Sequence, residues 1–169
     1  MSGAIRNPNL RILLIALSVL FLDQLTKVLV QRNLLLGSER VVIDGFFRLV
    51  HWGNTGAAWS LFKDNNTMLT GVAIVAVVAL VALRHQFEIH RPLGQLAMGL
   101  MLGGITGNLV DRFRMHHVID FLYFYTNQRG GTEIGFPAFN IADSAICTGV
   151  GILLLLSWQR EEGPETAHS

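Results

Sequence analysis

Four long apolar runs constrain this chain more than any other feature of its sequence. They lie at residues 11–30, 67–83, 93–112 and 138–158. About 20 mostly apolar residues are needed to cross the hydrocarbon core of a bilayer, which is about 30 Å thick. Charged residues make up only 15% of the chain, against about 25% in typical soluble domains. We therefore expect a mostly α-helical membrane protein with four transmembrane helices.

The 169 residues leave room for one integral membrane domain, 1–169, with two longer connections at 31–66 and 113–137. The first connection contains RVVIDGFFRLVHWGNTGAAWS, where β-branched and aromatic residues alternate with turn formers. This pattern predicts a small β-rich segment between the first and second helices. The second contains TNQRGGTEIGFP at 126–137, which is rich in turn formers and predicts a mobile loop.

Lysine and arginine indicate which side of the membrane each connection faces. They are denser in residues 1–11, 84–92 and 159–169 than in the two longer connections. Cytoplasmic segments carry such an excess, so we expect both termini inside and both longer connections outside. A secretory signal peptide is the alternative for the first run, because Arg6 and Arg11 precede it. However, no small-residue cleavage site follows.

Charge and cysteine content exclude several classes of function. A formal net charge of +1 supplies neither a phosphate-tracking groove nor a polybasic arm, so no nucleic acid partner is expected. The single cysteine, Cys147, excludes an internal disulfide framework and a cysteine-rich zinc site. The six histidines form no HExxH pair. We therefore expect neither a metal nor a cofactor.

An aspartate and a lysine lie inside the first apolar run. Asp23 lies about 12 residues into it, about 18 Å along a helix that rises 1.5 Å per residue. Lys27 follows one turn later on the same face. The pair can be an i to i+4 ion pair whose lysine reaches back to the interface. Alternatively, it braces a polar pocket between helices, since ionisable groups at membrane depth are costly unless they are paired.

The third run combines a glycine stripe with a polar outer end. The stripe repeats every four residues, at Gly99, Gly103 and Gly107. Small residues with this spacing allow close helix packing. Asn108 and Arg112 then share one face, and Asp111 is turned away from Arg112 by about 100°. We expect Asp111 to be a structural partner of a neighbouring arginine.

Two aspartates lie near the outer ends of the third and fourth runs. Asp120 stands in VIDF, and Asp143 lies about 8 Å inside the fourth run with Asn140 on the same face. Two carboxyls brought together there would share one proton, as in an aspartic protease. The charged member would take a proton from a water, and the protonated member would donate to the developing oxyanion and later to the leaving amine. Spacing alone leaves a cation site, or two independent hydrogen-bond acceptors, as alternatives.

Five motifs follow one another along the chain. They are DQLTK at 23–27, NTGAAWS at 54–60, LGGITGNLVDR at 102–112, VIDF at 118–121 and FNIAD at 139–143. Each motif is weak alone, but five in this order in a four-span chain are very specific. The set closely resembles the lipoprotein signal peptidases, also called signal peptidase II, a family of bacterial inner-membrane aspartic proteases.

The resemblance implies roles for the residues of these motifs. Asp120 and Asp143 would be the catalytic pair. Six further residues would bind substrate or support the site: Asn54, Asn108, Arg112, Asn140, Asp23 and Lys27. The implied substrate is a prolipoprotein whose cysteine already carries diacylglycerol, and cleavage occurs just before that cysteine. The implied location is the inner membrane, with both termini cytoplasmic and the active site near the periplasmic face.

The expected partners are the diacylglyceryl-prolipoprotein and membrane lipid, with the enzyme acting as a monomer. Two hypotheses from other classes stay open on the residues alone. An ion-coupled transporter would use Asp23, Asp143 and Arg112 as a relay. A noncatalytic assembly factor would bind membrane helices through the glycine stripe, and it would tolerate asparagine in place of Asp120 and Asp143.

Overall fold

The described residues form four α-helices, a short 3-10 helix at Arg84–Gln86 and a four-stranded sheet. The computed structural model describes residues 7–56, 65–128, 130 and 132–161. The helices are α1 (Pro8–Asn33), α2 (Asn66–Ala82), α3 (Pro92–Met115) and α4 (Ile141–Glu161). The strands are β1 (Glu39–Ile43), β2 (Phe47–Asn54), β3 (Val118–Asn127) and β4 (Glu133–Gly135). Each apolar run found in the sequence is thus a helix, and the longer connections supply the strands.

Three of these helices are long and apolar enough to cross a membrane, namely α1, α3 and α4. The fourth, α2, is an apolar helix of 17 residues. Large apolar side chains point outward from the bundle, among them Phe21, Val75 and Leu154, each with about two thirds of its surface exposed. Exposed apolar surface of this extent is typical of a protein that is covered by lipid.

The helix ends follow ordinary capping chemistry. Asn7 caps α1 by accepting a hydrogen bond from the amide of Asn9, and Pro8 occupies the first turn. Pro92 likewise begins α3, where a missing amide hydrogen is not needed for intrahelical bonding. His116, with a φ of 62°, ends α3 in the left-handed conformation. This turn directs the chain from α3 into β3.

Helix α3 lies at the centre of the bundle and packs against the other three helices. Its glycine stripe faces α1. A Cβ on Gly103 would lie 2.6 Å from the carbonyl oxygen of Ala16, and one on Gly99 would lie 2.6 Å from the side chain of Ile15. The interpretation of the stripe as a packing face is therefore confirmed. Ile12, Leu80, Ile89 and Met98 form an apolar core cluster at the end of the bundle away from the sheet.

The sheet is antiparallel, with strand order β1-β2-β3-β4. Strands β1 and β2 confirm the β-rich segment predicted between the first and second helices. Strands β3 and β4 come from the second connection, where the sequence predicted a mobile loop. That prediction is wrong for Glu133–Gly135, which pairs with Tyr125–Asn127. The backbone of this segment is hydrogen-bonded to β3, a partner that its turn-rich composition does not indicate.

Candidate active site

Asn140 begins α4 and fixes the position of Asp143. The Oδ1 atom of Asn140 accepts from the amide of Asp143 at 2.9 Å. In return, the amide of Asn140 donates to Oδ2 of Asp143 at 3.2 Å. This reciprocal pair is a capping box, in which the cap residue and the third helical residue satisfy each other's backbone amides. The carboxylate of Asp143 is therefore held at the first turn of α4, next to Asn140.

Backbone pairing brings Asp120 to the same place. Phe139 exchanges two hydrogen bonds with Leu122 of β3, at 2.9 and 3.1 Å. The residue after Phe139 is Asn140, which is fully buried. Its Nδ2 atom donates to Oδ1 of Asp120 at 2.9 Å. Asn140 thus contacts both aspartates, one through its side-chain amide and the other through its backbone.

The other oxygens of the two aspartates are also bonded to asparagines. Asn54, the last residue of β2, donates from Nδ2 to Oδ2 of Asp120 at 3.0 Å. Asn108 of α3 donates from Nδ2 to Oδ1 of Asp143 at 2.7 Å. Four elements, β2, β3, α3 and α4, therefore converge on one pair of carboxyls.

Arg112 lies beside this pair and also contacts the chain that leaves β2. Its Nη2 atom donates to the carbonyl of Gly56 at 3.1 Å. Its guanidinium interacts electrostatically with Asp143 and Asp120. The rest of the NTGAAWS motif, residues 57–60, lies outside the described residues. Arg112 therefore brings a positive charge to the side of the two carboxyls.

Asp23 and Lys27 lie directly behind the pair, in a buried polar group. The Nζ atom of Lys27 bonds to Asp23 at 2.8 Å and to Asp111 at 2.7 Å. The lysine is 1% exposed, so it does not reach the interface. The expectation that Asp111 pairs with an arginine is wrong, because its cationic partner is this lysine. Buried ions are costly unless they are paired and hydrogen-bonded, as these three are.

A cavity of about 880 Å³ opens in front of the two aspartates. Its polar side is lined by Asn54, Asn108, Arg112, Asp120 and Asp143. Its apolar side is lined by Trp52, Val118, Phe136, Phe139, Ile146 and Cys147. Ligand sites commonly combine mostly apolar walls with a few convergent polar groups. The cavity can therefore hold a substrate whose reacting bond lies against the carboxyls.

The protonation of Asp120 is perturbed at this site. Burial and the nearby carboxylate of Asp143 together raise the pKa of Asp120 to about 7. The amides of Asn54 and Asn140 act in the opposite direction. A carboxyl with a pKa near neutrality can hold a proton and release it during a reaction.

Within the part of the chain that the structure describes, no group of three or more His, Cys, Asp or Glu side chains is arranged to hold a metal ion. The two aspartates instead receive neutral amide donors. These amide N–H groups donate directly to the carboxyl oxygens, so the two aspartates have hydrogen-bond partners from the protein itself.

Comparison with known proteins identifies this arrangement. Residues 15–159 match the family model described as Signal peptidase (SPase) II. This chain belongs to the signal peptidase II family. It is therefore a protease, and the resemblance found in the five motifs is confirmed. The transporter and assembly-factor hypotheses are set aside, because the family consists of proteases.

Relatives of this signal peptidase II match nearly end to end. The lipoprotein signal peptidase of Syntrophotalea carbinolica is 43% identical over 151 residues, which cover 88% of this chain and 91% of that protein. The lipoprotein signal peptidase of Symbiobacterium thermophilum is 38% identical, covering 85% and 91%.

Two solved bacterial membrane enzymes, both obtained by the in meso method, share the fold. One is 29% identical with a TM-score of 0.79, covering 94% of this chain and 93% of its own. The other is 32% identical with a TM-score of 0.72, covering 89% and 93%. Together with the apolar helices, these matches identify a multi-pass membrane protein.

Every site residue predicted for this signal peptidase II lies in or directly behind the cavity. Sequence reasoning missed Gln24, whose Nε2 atom donates to Asp111 at 2.9 Å and to the carbonyl of Gly107 at 3.2 Å. One signal was present, because glutamine is a polar residue inside an apolar run. Polar residues at membrane depth face the bundle interior.

Proposed function

We propose that this protein removes the signal peptide from diacylglyceryl-modified prolipoproteins by cutting just before the lipidated cysteine. The proposal extends to this chain the activity carried by the names of its relatives, which are lipoprotein signal peptidases. Asp120 and Asp143 act as the catalytic pair, and water is the nucleophile. No cofactor takes part.

One observation carries the proposal: Asn140 bonds to both carboxyls, and both carboxyls line one cavity. A residue that bonds to two carboxyls fixes their relative position. An aspartic protease needs this fixed geometry because both carboxyls must bind the same water molecule. Among the described residues, the hydrogen bonds to these carboxyls do not come from a histidine or lysine that could activate a serine or cysteine nucleophile. Their hydrogen-bond partners are asparagine amides, which leave the carboxyl pair free to exchange protons with water and substrate.

The two carboxyls have different roles. Asp143 lies in the first turn of α4 and accepts from Asn108 and from the amide of Asn140. Asp120 also accepts two amide hydrogens, so the helix N-terminus is the feature that distinguishes the two carboxyls. It favours a negative charge on Asp143, and Asp143 takes the proton from the attacking water. Asp120, with its pKa near 7, holds the other proton. It donates this proton to the carbonyl oxygen as the tetrahedral intermediate forms.

Collapse of that intermediate completes the reaction. The bond between carbon and nitrogen breaks, and the amine of the lipidated cysteine leaves with the proton that Asp143 took from water. As the carbonyl re-forms, one hydroxyl of the intermediate returns a proton to Asp120, which restores the starting state of the pair. Arg112 and the asparagines hold substrate carbonyls and orient the two carboxyls. The products are the free signal peptide, ending in a carboxylate, and a lipoprotein that begins at its lipidated cysteine.

The proposed membrane arrangement has four crossings, made by all four helices of a single domain. Strand β2 from the first connection pairs with β3 from the second, so both connections lie on one side of the membrane. An even number of crossings must therefore separate them, and these can only be made by α2 and α3. Since α3 is long enough to cross, α2 crosses as well.

A 17-residue helix spans about 25 Å, a length that slight local thinning of the bilayer accommodates. The lysine and arginine distribution then places both termini in the cytoplasm and the sheet in the periplasm. The site lies where the sheet meets α3 and α4, near the periplasmic face of the inner membrane. The enzyme acts as a monomer surrounded by lipid.

The two asparagine variants Asp120→Asn and Asp143→Asn test the catalytic pair. Each is expected to lower the rate of signal-peptide release by at least about 100-fold, because general acid or base catalysis contributes that much or more. Purified protein in detergent is incubated with a diacylglyceryl-modified precursor, and the products are separated by gel electrophoresis. Asp44→Asn is the matched control, since Asp44 is exposed in the β1–β2 turn. Full activity in either site variant would remove the proposed pair.

A further inference from the structure

We propose that Asp23, Gln24, Lys27 and Asp111 form a positioning cluster that sets the relative placement of Asp120 and Asp143 from behind the cavity. The inference rests on the proposed function of those two aspartates. None of the four residues lines the cavity, so the cluster acts through the groups to which it bonds.

Lys27 is the centre of the cluster. Its ammonium has three hydrogens, and it has three acceptors: Asp23 at 2.8 Å, Asp111 at 2.7 Å and Oδ1 of Asn108 at 3.0 Å. Lys27, Asp23 and Asp111 are at most 1% exposed. Because every hydrogen is used and water is excluded, the ammonium has one favourable position. This position fixes α1 relative to α3.

Each carboxylate of the cluster holds the residue that precedes one catalytic aspartate. Oδ1 of Asp23 accepts from the amide of Ala142, one residue before Asp143, at 3.0 Å. Oδ2 of Asp111 accepts from the amide of Ile119, one residue before Asp120, at 3.3 Å. The two backbone segments that carry the catalytic pair are therefore tied to the same lysine through two carboxylates.

Lys27 also orients the amide of Asn108. An asparagine amide has one oxygen and one nitrogen, and they are directed oppositely. Since Oδ1 accepts from the ammonium, Nδ2 is directed to Asp143, to which it donates at 2.7 Å. With the reverse orientation, an oxygen would face the carboxylate and repel it. The lysine thus keeps a hydrogen-bond donor aimed at the catalytic base.

Gln24 closes the cluster on the side of α1. Its Nε2 atom donates to Oδ1 of Asp111 at 2.9 Å, to the carbonyl of Gly107 at 3.2 Å and to Oδ2 of Asp23 at 3.2 Å. Gly107 leaves room for the Asp23 carboxylate, because a Cβ at that position would lie 2.5 Å from it. Gln24 carries no charge, so its removal alters the placement of the carboxylates without leaving a buried ion unpaired.

The first test compares two glutamines that join the same pair of helices. Gln24→Ala removes the three contacts that Gln24 makes within the cluster, whereas Gln31→Ala removes the exposed contact between Gln31 and Met115. We expect Gln24→Ala to lower kcat about tenfold with KM within about twofold of the parent, because small displacements of catalytic groups act on the chemical step. Gln31→Ala should leave kcat and KM unchanged. An unchanged kcat per folded molecule in Gln24→Ala would overturn the proposal.

The second test uses the charge of the cluster. The charged groups that face Asp120 are Lys27 from α1, Arg112 from α3 and Asp143 from α4. Lys27 lowers the pKa of Asp120, so Lys27→Gln should shift the alkaline limb of the kcat profile to higher pH. The glutamine can still donate to Asn108, which keeps the amide orientation. An unshifted limb in a folded variant counts against the proposal.

The third test separates positioning from folding. Asp111→Asn retains an oxygen that can accept from Ile119, and Asp111→Ala does not. We expect the asparagine variant to retain more of kcat than the alanine variant, when both are expressed per folded molecule. Equal kcat values would overturn the positioning role. Inactive Asp120→Asn and Asp143→Asn variants, alongside an unaffected Gln24→Ala, would refute the cluster and leave the proposed function standing.

Discussion

The carboxyl of Asp120 links burial to the pH dependence of the reaction. Burial and the neighbouring Asp143 hold its pKa at about 7. Since Asp120 donates a proton in the proposed reaction, only the protonated form is active. We expect kcat to fall as pH rises through about 7, by about tenfold for each further unit. The fall is measured from initial rates of precursor cleavage at a series of pH values around and above 7, with saturating substrate.

Asp44→Asn provides the control for that profile, because it removes an exposed carboxyl outside the cavity. Its alkaline limb should coincide with that of the parent. A rate that stays constant well above pH 7 would show that Asp120 does not supply the proton.

Asn140 both caps α4 and donates to the catalytic pair. Its Oδ1 atom caps α4, and its Nδ2 atom donates to Asp120. Serine caps helices as well as asparagine does, but it has no second donor in that position. Asn140→Ser should therefore lower activity at least about tenfold, because an unsatisfied buried carboxyl oxygen costs about 1–3 kcal/mol. The melting temperature should also fall, because Nδ2 of the fully buried Asn140 donates in addition to the carbonyl of Ile119 and to Asn108.

The matched variant is Asn7→Ser, which makes the same exchange at the cap of α1. It should change neither quantity. If Asn140→Ser retained full activity, the bond from Asn140 to Asp120 would be dispensable for the reaction.

At the scale of the elements, the contact between α1 and α3 depends on glycine. A Cβ on Gly103 would lie 2.6 Å from a backbone oxygen of α1 and 2.7 Å from Val19. Neither neighbour can move without displacing the helix, so Gly103→Ala should destabilise the protein by about 1–3 kcal/mol. Thermal unfolding in detergent measures the loss. Gly151→Ala in α4 is the control, because a Cβ there meets nothing within 4 Å.

Alanine is the better helix former, so the control variant should unfold at the parent temperature or slightly above it. Equal melting temperatures for the two variants would mean that α1 and α3 can separate at no cost. The glycine stripe would then have no packing role.

Local pattern predicted the helices of this protein well, because a helix is determined by its own residues. The predicted runs at 11–30 and 93–112 fall within α1 and α3, which extend one to three residues further at each end. Strand β3 was missed, although VIDFLYFYTN is rich in β-branched and aromatic residues. A strand requires a partner, and β2 is distant in sequence. Pairing of this kind cannot be read from one segment alone.

The site shows the same division. Spacing placed Asp120 and Asp143 at similar depths, and their neighbours Asn108 and Asn140 were predicted as support. The hydrogen bonds that join them depend on the pairing of Phe139 with Leu122 and on the packing of α1 against α3. Asp111 was assigned to an arginine because Lys27 belongs to another helix, and only tertiary structure brings the two together.

At the scale of the whole molecule, the sheet determines how many times the chain crosses the membrane. Asp44 lies in the β1–β2 turn and Asn127 at the end of β3, both exposed. Because β2 and β3 are paired, these positions must face the same side. Gln86 lies exposed between α2 and α3, so it faces the opposite side only if both helices cross.

Single cysteines at these three positions, in a Cys147→Ser background, test the crossings. We expect a membrane-impermeant maleimide to label Asp44→Cys and Asn127→Cys in intact spheroplasts, and to label Gln86→Cys only after the membrane is permeabilised. Precursor cleavage by each variant shows that the fold is retained. Labelling of all three positions in intact spheroplasts would place the connection between α2 and α3 outside. In that case neither helix crosses completely, and the short length of α2 reflects a hairpin that enters the bilayer and returns.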